Sequence, residues 1–170
     1  NTRPFLRSEY STTITNAHQL QLMAMNPGAS YTLARDIDMS ELSRASGLWD
    51  TTKGFVPVGS TRFSFENQFT GNFDGGGHTI SGLMINRPSM DYVGLFGVVG
   101  GVSTIIGNVG LLGGSVNGGN YVGELVWLNL TGAINNVYAT GSVSSSGFNS
   151  GVGGLVGYNW QYGTISNAYA

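Results

Sequence analysis

The chain has 170 residues, seven Lys or Arg against nine Asp or Glu, and a formal net charge of −2, which is not the footprint of a nucleic-acid binder. A 41% hydrophobic share beside only 9% charged residues excludes disorder by low hydropathy and high charge, and the length suffices for one domain with its own core. The absence of Cys removes disulfides, thiol chemistry and Cys-ligated metal, and no apolar run reaches the ~18 residues of a membrane-spanning helix.

Residues 13–26 carry the one helix signal. Thr15 or Asn16 can cap it, Leu20, Met23 and Ala24 share helical spacing, and Asn26-Pro27-Gly28 stops it. Tyr31-Thr32-Leu33-Ala34 reads as a strand, which Asp36-Ile37-Asp38-Met39 continues or leaves. Residues 40–54 are polar with Gly47 and Gly54 and read as a loop. Phe55-Val56-Pro57-Val58-Gly59 is apolar but holds a Pro, which suits an edge or a turn. From Phe69 the pattern becomes short β-rich segments: Phe69-Thr70-Gly71-Asn72-Phe73, then Gly75-Gly76-Gly77, then Thr79 to Ile85. We therefore divide the chain into an opening region, 1–68, with a short helix and a long loop, and repeating rungs over 69–170.

Beyond Asp91 the composition changes. Fifteen of the sixteen charged side chains lie in residues 1–91; Glu124 alone follows. Leu95-Phe96-Gly97, Leu125-Val126-Trp127 and Leu155-Val156-Gly157 recur every 30 residues. A Val-Gly pair precedes each (Val93-Gly94, Val122-Gly123, Val152-Gly153), and an Ile and an Asn follow: Ile105 and Asn108, Ile134 and Asn136, Ile165 and Asn167. Such a period marks a solenoid or an array. The segments are short, β-branched or aromatic, and punctuated by Gly, Asn and Ser, so they are strands. A propeller blade needs about 40 residues or more. Three strands and three turns per 30 residues make one rung of a parallel β-helix. The scarcity of charge then has a cause. Equivalent positions of successive rungs stack about 4.8 Å apart, so a charge written into the repeat faces its own copy and is repelled by roughly 1 kcal/mol even in water. Asn108, Asn136 and Asn167 can form an amide ladder; alternatively each Asn serves a left-handed turn.

The residues now resemble a known family. Ala17 to Ser40, GFVPVGS at 54–60 and FTGNFDGGGHTISGLMINRP at 69–88 look like parts of large bacterial exoproteins, and YVGLFG, YVGELVW, GVGGLVGYN and GTISNAYA are similar to the GLUG repeat. Together they resemble the filamentous-haemagglutinin-like adhesins exported by two-partner secretion in Gram-negative bacteria. The resemblance implies a right-handed parallel β-helix at the cell surface or secreted. It also implies an adhesive or display role, a host-cell or surface glycan or protein receptor, and an outer-membrane transporter as secretion partner. The family's secretion motif is absent, and the last repeat stops at Ala170, as expected of a segment of a longer protein. The second unit departs from the repeat: Glu124 and Trp127 stand where the third has Gly154 and Gly157.

The ionisable residues form no recognisable catalytic or metal motif. His18 and His78 lack a His-Glu-x-x-His pattern and read as structural or solvated. Asp36 and Asp38 could converge on calcium, but a solvated turn is the simpler reading. Gly75-Gly76-Gly77-His78 lacks the Asp of the calcium-binding nonapeptide. No cofactor or metal is expected. A polysaccharide lyase or hydrolase on the same fold would need paired carboxylates, with Asp74, Asp91 and Glu124 as candidates; the chain is read as a non-enzyme. Tyr158, Trp160 and Tyr162 are the best ligand candidates, because alternate residues of a strand point the same way and three rings in a row can stack on sugars. Trp127 is expected to pack on a neighbouring rung.

Overall fold

The computed structural model describes residues 6–45, 48–59, 67–148 and 151–170. Its first strand, β1 (Thr13–Ile14), leads through the Asn16 cap into α1 (Ala17–Leu22). The Asn16 side chain accepts from the backbone N–H of Gln19 at 2.9 Å, the bond expected of an N-cap. The helix is shorter than the 13–26 expected from sequence. Thr13 and Ile14 pair in the sheet, and Met23–Met25 tighten into a 3-10 turn before Asn26-Pro27.

The strands β2 (Tyr31–Leu33), β3 (Ile37–Asp38), β4 (Phe73–Asp74) and β5 (Thr79–Ser81) already belong to the coil. β2 pairs with β1 and β4, and β3 with β5, all parallel, so the sheet passes from the opening region into the repeats without interruption. Residues 40–54, read as a loop, hold a 3-10 turn at Ser40–Ser43 and send Leu42 and Trp49 into the core. The buried Gln21 amide ties this segment to α1. Its Oε1 accepts from the Val56 N–H and the Trp49 indole, and its Nε2 donates to the Val56 carbonyl. A buried amide satisfied on both sides costs little.

Three turns about 30 residues apart follow. One face carries β6 (Met84–Asn86), β9 (Ser115–Gly118) and β13 (Ser142–Ser145). The second carries β7 (Phe96–Val99), β11 (Val126–Asn129) and β15 (Val156–Asn159). The third and longest carries β8 (Ile105–Leu112), β12 (Ala133–Ala139) and β16 (Thr164–Tyr169). A corner ladder joins β10 (Val122–Gly123) to β14 (Val152–Gly153), and Val93 bridges to Val122. Every ladder between these named strands is parallel. The chain is thus an all-β parallel solenoid with one short helix near its beginning, the architecture the repeat implied.

Side chains pointing inward make the core. Phe96, Val126 and Val156 stand in one register, and Ile85, Val116 and Val143 in another. The Ile column is Ile106, Ile134 and Ile165 rather than one built on Ile105: Ile106 is fully buried and Ile105 is half exposed. Adjacent isoleucines point to opposite faces of the sheet, so pairing by residue type alone chose the wrong one. Tyr31, Phe69, Phe96 and Phe73 stack through the interior with centroids 4.7–6.4 Å apart.

Candidate functional site

Two kinds of column run along the coil, one of amides and one of rings. Asn108, Asn136 and Asn167 have φ of 56°, 50° and 49°, a region that Asn visits more readily than most L-residues. Their amides are joined as well. Nδ2 of Asn167 donates to Oδ1 of Asn136 at 3.2 Å, and Nδ2 of Asn136 donates to Oδ1 of Asn108 at 3.1 Å. Nδ2 of Asn108 then donates to Oδ1 of Asp74 at 3.0 Å. The same three residues thus make the left-handed bend and the side-chain bonds; the two readings describe one arrangement. Asp74 ends the series because a carboxylate only accepts. The Asn108 amide, and after it the Gly76 N–H, hold its carboxyl below the usual range.

The ring column begins at the corner before each Val-Gly pair. Register pairs Val93 with Val122 and Val122 with Val152, which places Tyr92, Tyr121 and Gly151 in one file. Tyr92 and Tyr121 lie parallel, centroids 5.7 Å apart and planes 8° apart. Both have positive φ, 67° and 64°, at a cost of about 1 kcal/mol each, which the stacking and burial offset. Trp127 tilts against both rings, at 4.3 and 5.6 Å. It is buried against the neighbouring rungs. Its position in the outer rungs is Gly97 and Gly157, and a β-carbon on Gly157 would come within 3.0 Å of the indole. The Trp for Gly exchange in the middle rung works because Gly157 stays bare.

Tyr158 and Trp160 join this group, and Tyr162 does not. Strand β15 ends at Asn159, Gln161 takes a φ of 47°, and the chain turns. Trp160 therefore leans back to Tyr158, centroids 6.5 Å apart, while Tyr162 is well exposed and is not among the residues lining the groove. The row of three rings along one strand is corrected to two rings facing three from earlier turns. Tyr92, Tyr121, Trp127, Tyr158 and Trp160 line an open groove of about 460 Å³, completed by Leu128, Gly151 and Gly157. Among the described residues that line it there is no Asp, Glu, Lys, Arg or His. Sequence reasoning found Tyr158 and Trp160 but missed Tyr92 and Tyr121. Their signal is the shared frame Tyr92-Val93-Gly94, Tyr121-Val122-Gly123 and Gly151-Val152-Gly153.

The other candidates are dispersed. Glu124 is 1% exposed. Burial pushes its carboxyl up to about 7, against a smaller downward pull from the Gly141 N–H, which donates to Oε2 at 3.0 Å; Oε1 has no partner. Asp91 accepts from the Asn120 backbone and side-chain N–H groups. Asp74, Asp91 and Glu124 thus bond to different partners. Asp36 accepts from the Thr79 N–H and lies 3.4 Å from His78, and Asp38 turns to the N–H and hydroxyl of Ser40. These bonds lower both carboxyls and hold each in its own turn. His18 sits between Glu41 at 3.1 Å and Glu9 at 3.6 Å, with its ring on Trp49. Among the described residues no three His, Asp or Glu side chains are grouped to hold a metal ion.

Comparison with known proteins finds the repeat in the third turn and two similar sequences. The GLUG motif matches residues 148–170, the segment that supplies β14 to β16. Over 128 residues, 75% of this chain, the sequence is 44% identical to halomucin of Haloquadratum walsbyi, yet the match spans 1% of halomucin. Over 109 residues it is 32% identical to a protein of Evansella cellulosilytica named as a Gly-rich membrane protein, covering 57% of this chain and 12% of that protein. No solved structure matches. The chain is therefore a GLUG-bearing parallel β-solenoid, similar to short stretches of much longer proteins. No helix among its described residues is long and apolar enough to cross a membrane.

Proposed function

We propose that this solenoid is a rigid structural and adhesive module of a large cell-surface or secreted protein, and that it carries no catalysis. The observation that supports this most is the uninterrupted parallel register of the long face from β1 to β16. Each turn contacts its neighbours and the stack builds length, the property of a rod. The relatives point the same way: one is named as a membrane protein, and both far exceed the matched stretch. Export by two-partner secretion rests on the resemblance alone, and neither relative's name carries it. The enzyme alternative has one attraction, the Glu124 carboxyl near 7, a value suited to a general acid. At 1% exposure that carboxyl faces the packed coil rather than a substrate.

The test is a bead assay. Beads coated with the folded chain are presented to cells and to immobilised glycans, and both retention and soluble sugar release are scored. Retention without release is the expected result. Depolymerisation of any glycan overturns the proposal, and retention no better than that of uncoated beads overturns its adhesive part.

A further inference from the structure

The groove between the turns has the shape of a missing ring. Tyr92 and Tyr121 occupy two successive positions of one file, stacked 8° from parallel. The third position is Gly151. A β-carbon there would stand 3.4 Å from Cδ1 of Tyr121, in ordinary contact, the nearest atom among the described residues apart from its chain neighbours. The turn thus admits a β-carbon at this position and, among the described residues, supplies no ring there. Tyr158 and Trp160, about half exposed, stand beside the vacancy, and Trp127 backs it.

We propose that this vacancy binds a neutral pyranose of a glycan chain, its flat C–H face stacked on Tyr121 and its edge against Tyr158 and Trp160. Three features favour that occupant. The walls are ring faces, which attract the weakly positive C–H groups of a sugar face. Three lining residues, Tyr92, Tyr121 and Tyr158, carry phenol hydroxyls of the kind that bond a sugar's hydroxyl periphery. Among the described residues no ionised side chain lines it, so a uronate or a charged peptide gains no counter-charge from them, while a neutral sugar meets no desolvated charge. The volume, about 460 Å³, is within the range of small-molecule sites. The proposal deepens the adhesive reading by naming a ligand class and a place; the rod itself does not depend on it.

The experiment is a titration of the whole chain with cellotetraose, with tetragalacturonate as the charged control, followed by tryptophan fluorescence. Saturable binding tighter than about 1 mM is expected for the neutral sugar only. Gly151→Tyr should fill the vacancy and abolish binding with its melting midpoint unchanged or raised, since the added ring extends an existing stack. Trp160→Ala, at an exposed position, should weaken binding about tenfold or more with circular dichroism unchanged. Binding left intact in folded Gly151→Tyr overturns the proposal. So does equal binding of the charged control, or no saturation by cellotetraose or by other neutral oligosaccharides. If fluorescence instead changes with protein concentration alone, the occupant is an aromatic side chain of a second copy, such as the fully exposed Phe148, and the sugar proposal falls. None of these failures touches the rod reading, which the bead assay and the register of the coil address.

Discussion

At the scale of single residues, two polar side chains separate backbone effects from side-chain effects. Asn136 bends the backbone at φ 50° and both donates and accepts an amide bond. Asn136→Gly keeps the bend and loses both bonds; Asn136→Ala loses both bonds and also strains the bend. We expect a destabilisation of about 1 kcal/mol for Gly and 2–3 kcal/mol for Ala, read from urea unfolding midpoints. A Gly variant as stable as the wild type would show that the bonds contribute nothing. Glu124 gives a pH signature. Its carboxyl has an ordinary value of 4.5 and titrates near 7 in the fold. Between those values the native state keeps a proton that the unfolded chain has released. Stability is therefore highest at or below pH 4.5 as far as this group is concerned, falls as the pH rises to about 7, and levels off above. The whole change is on the order of 3 kcal/mol. Glu124→Gln should remove that slope. Parallel pH profiles for the two proteins would show that Glu124 is not the cause.

At the scale of elements, the inward column of leucines gives the cleanest comparison. Leu95 and Leu125 are fully buried, while Leu155, at the equivalent position of the last rung, is 7% exposed. Leu125→Ala should cost roughly 2–5 kcal/mol, transfer and cavity together. Leu155→Ala should cost at least about 1 kcal/mol less, because Leu155 is less completely enclosed in this chain than Leu125. Equal losses in chemical denaturation would mean that the rungs do not differ in cover. What the sequence showed at this scale was the repeat, because Leu-Val and Val-Gly return at a fixed interval. It did not show β1, which it placed inside the helix candidate, and it left β3 open between strand and turn, since an alternating pattern cannot be expressed in two residues. Leu42 and Trp49 were hidden because they stand in a polar stretch: Leu42 is a lone apolar residue and Trp49 is paired only with Leu48, and Trp49 meets His18 and Gln21 of α1 only in the fold. Half of the groove was legible, because Tyr158 and Trp160 are neighbours in sequence. The other half required aligning turns by corner rather than by residue type.

At the scale of the molecule, the coil sorts its charges by column. Carboxylates in the repeats are found at a column's foot, as Asp74 is, or alone, as Glu124 is. Asp74 is tolerable because every amide above it donates downward and the chain of bonds needs a final acceptor. A second carboxylate in that column breaks the donation, and at Asn108 it also faces Asp74 one rung away. Asn108→Asp, Asn136→Asp and Asn167→Asp, made singly and together, measure the second effect. The single losses at Asn136 and Asn167 contain the broken amide bond, and that at Asn108 contains the repulsion from Asp74 as well. The triple variant adds contacts between neighbouring carboxylates about 4.8 Å apart, each worth on the order of 1 kcal/mol at the surface. The triple loss at neutral pH should therefore exceed the sum of the singles. The excess should shrink in 1 M salt, where screening acts within about 3 Å, and should vanish below about pH 3, where protonated carboxyls can donate again. An additive triple loss, indifferent to salt and pH, would mean that like-charge stacking is not what keeps ionised residues out of the rungs.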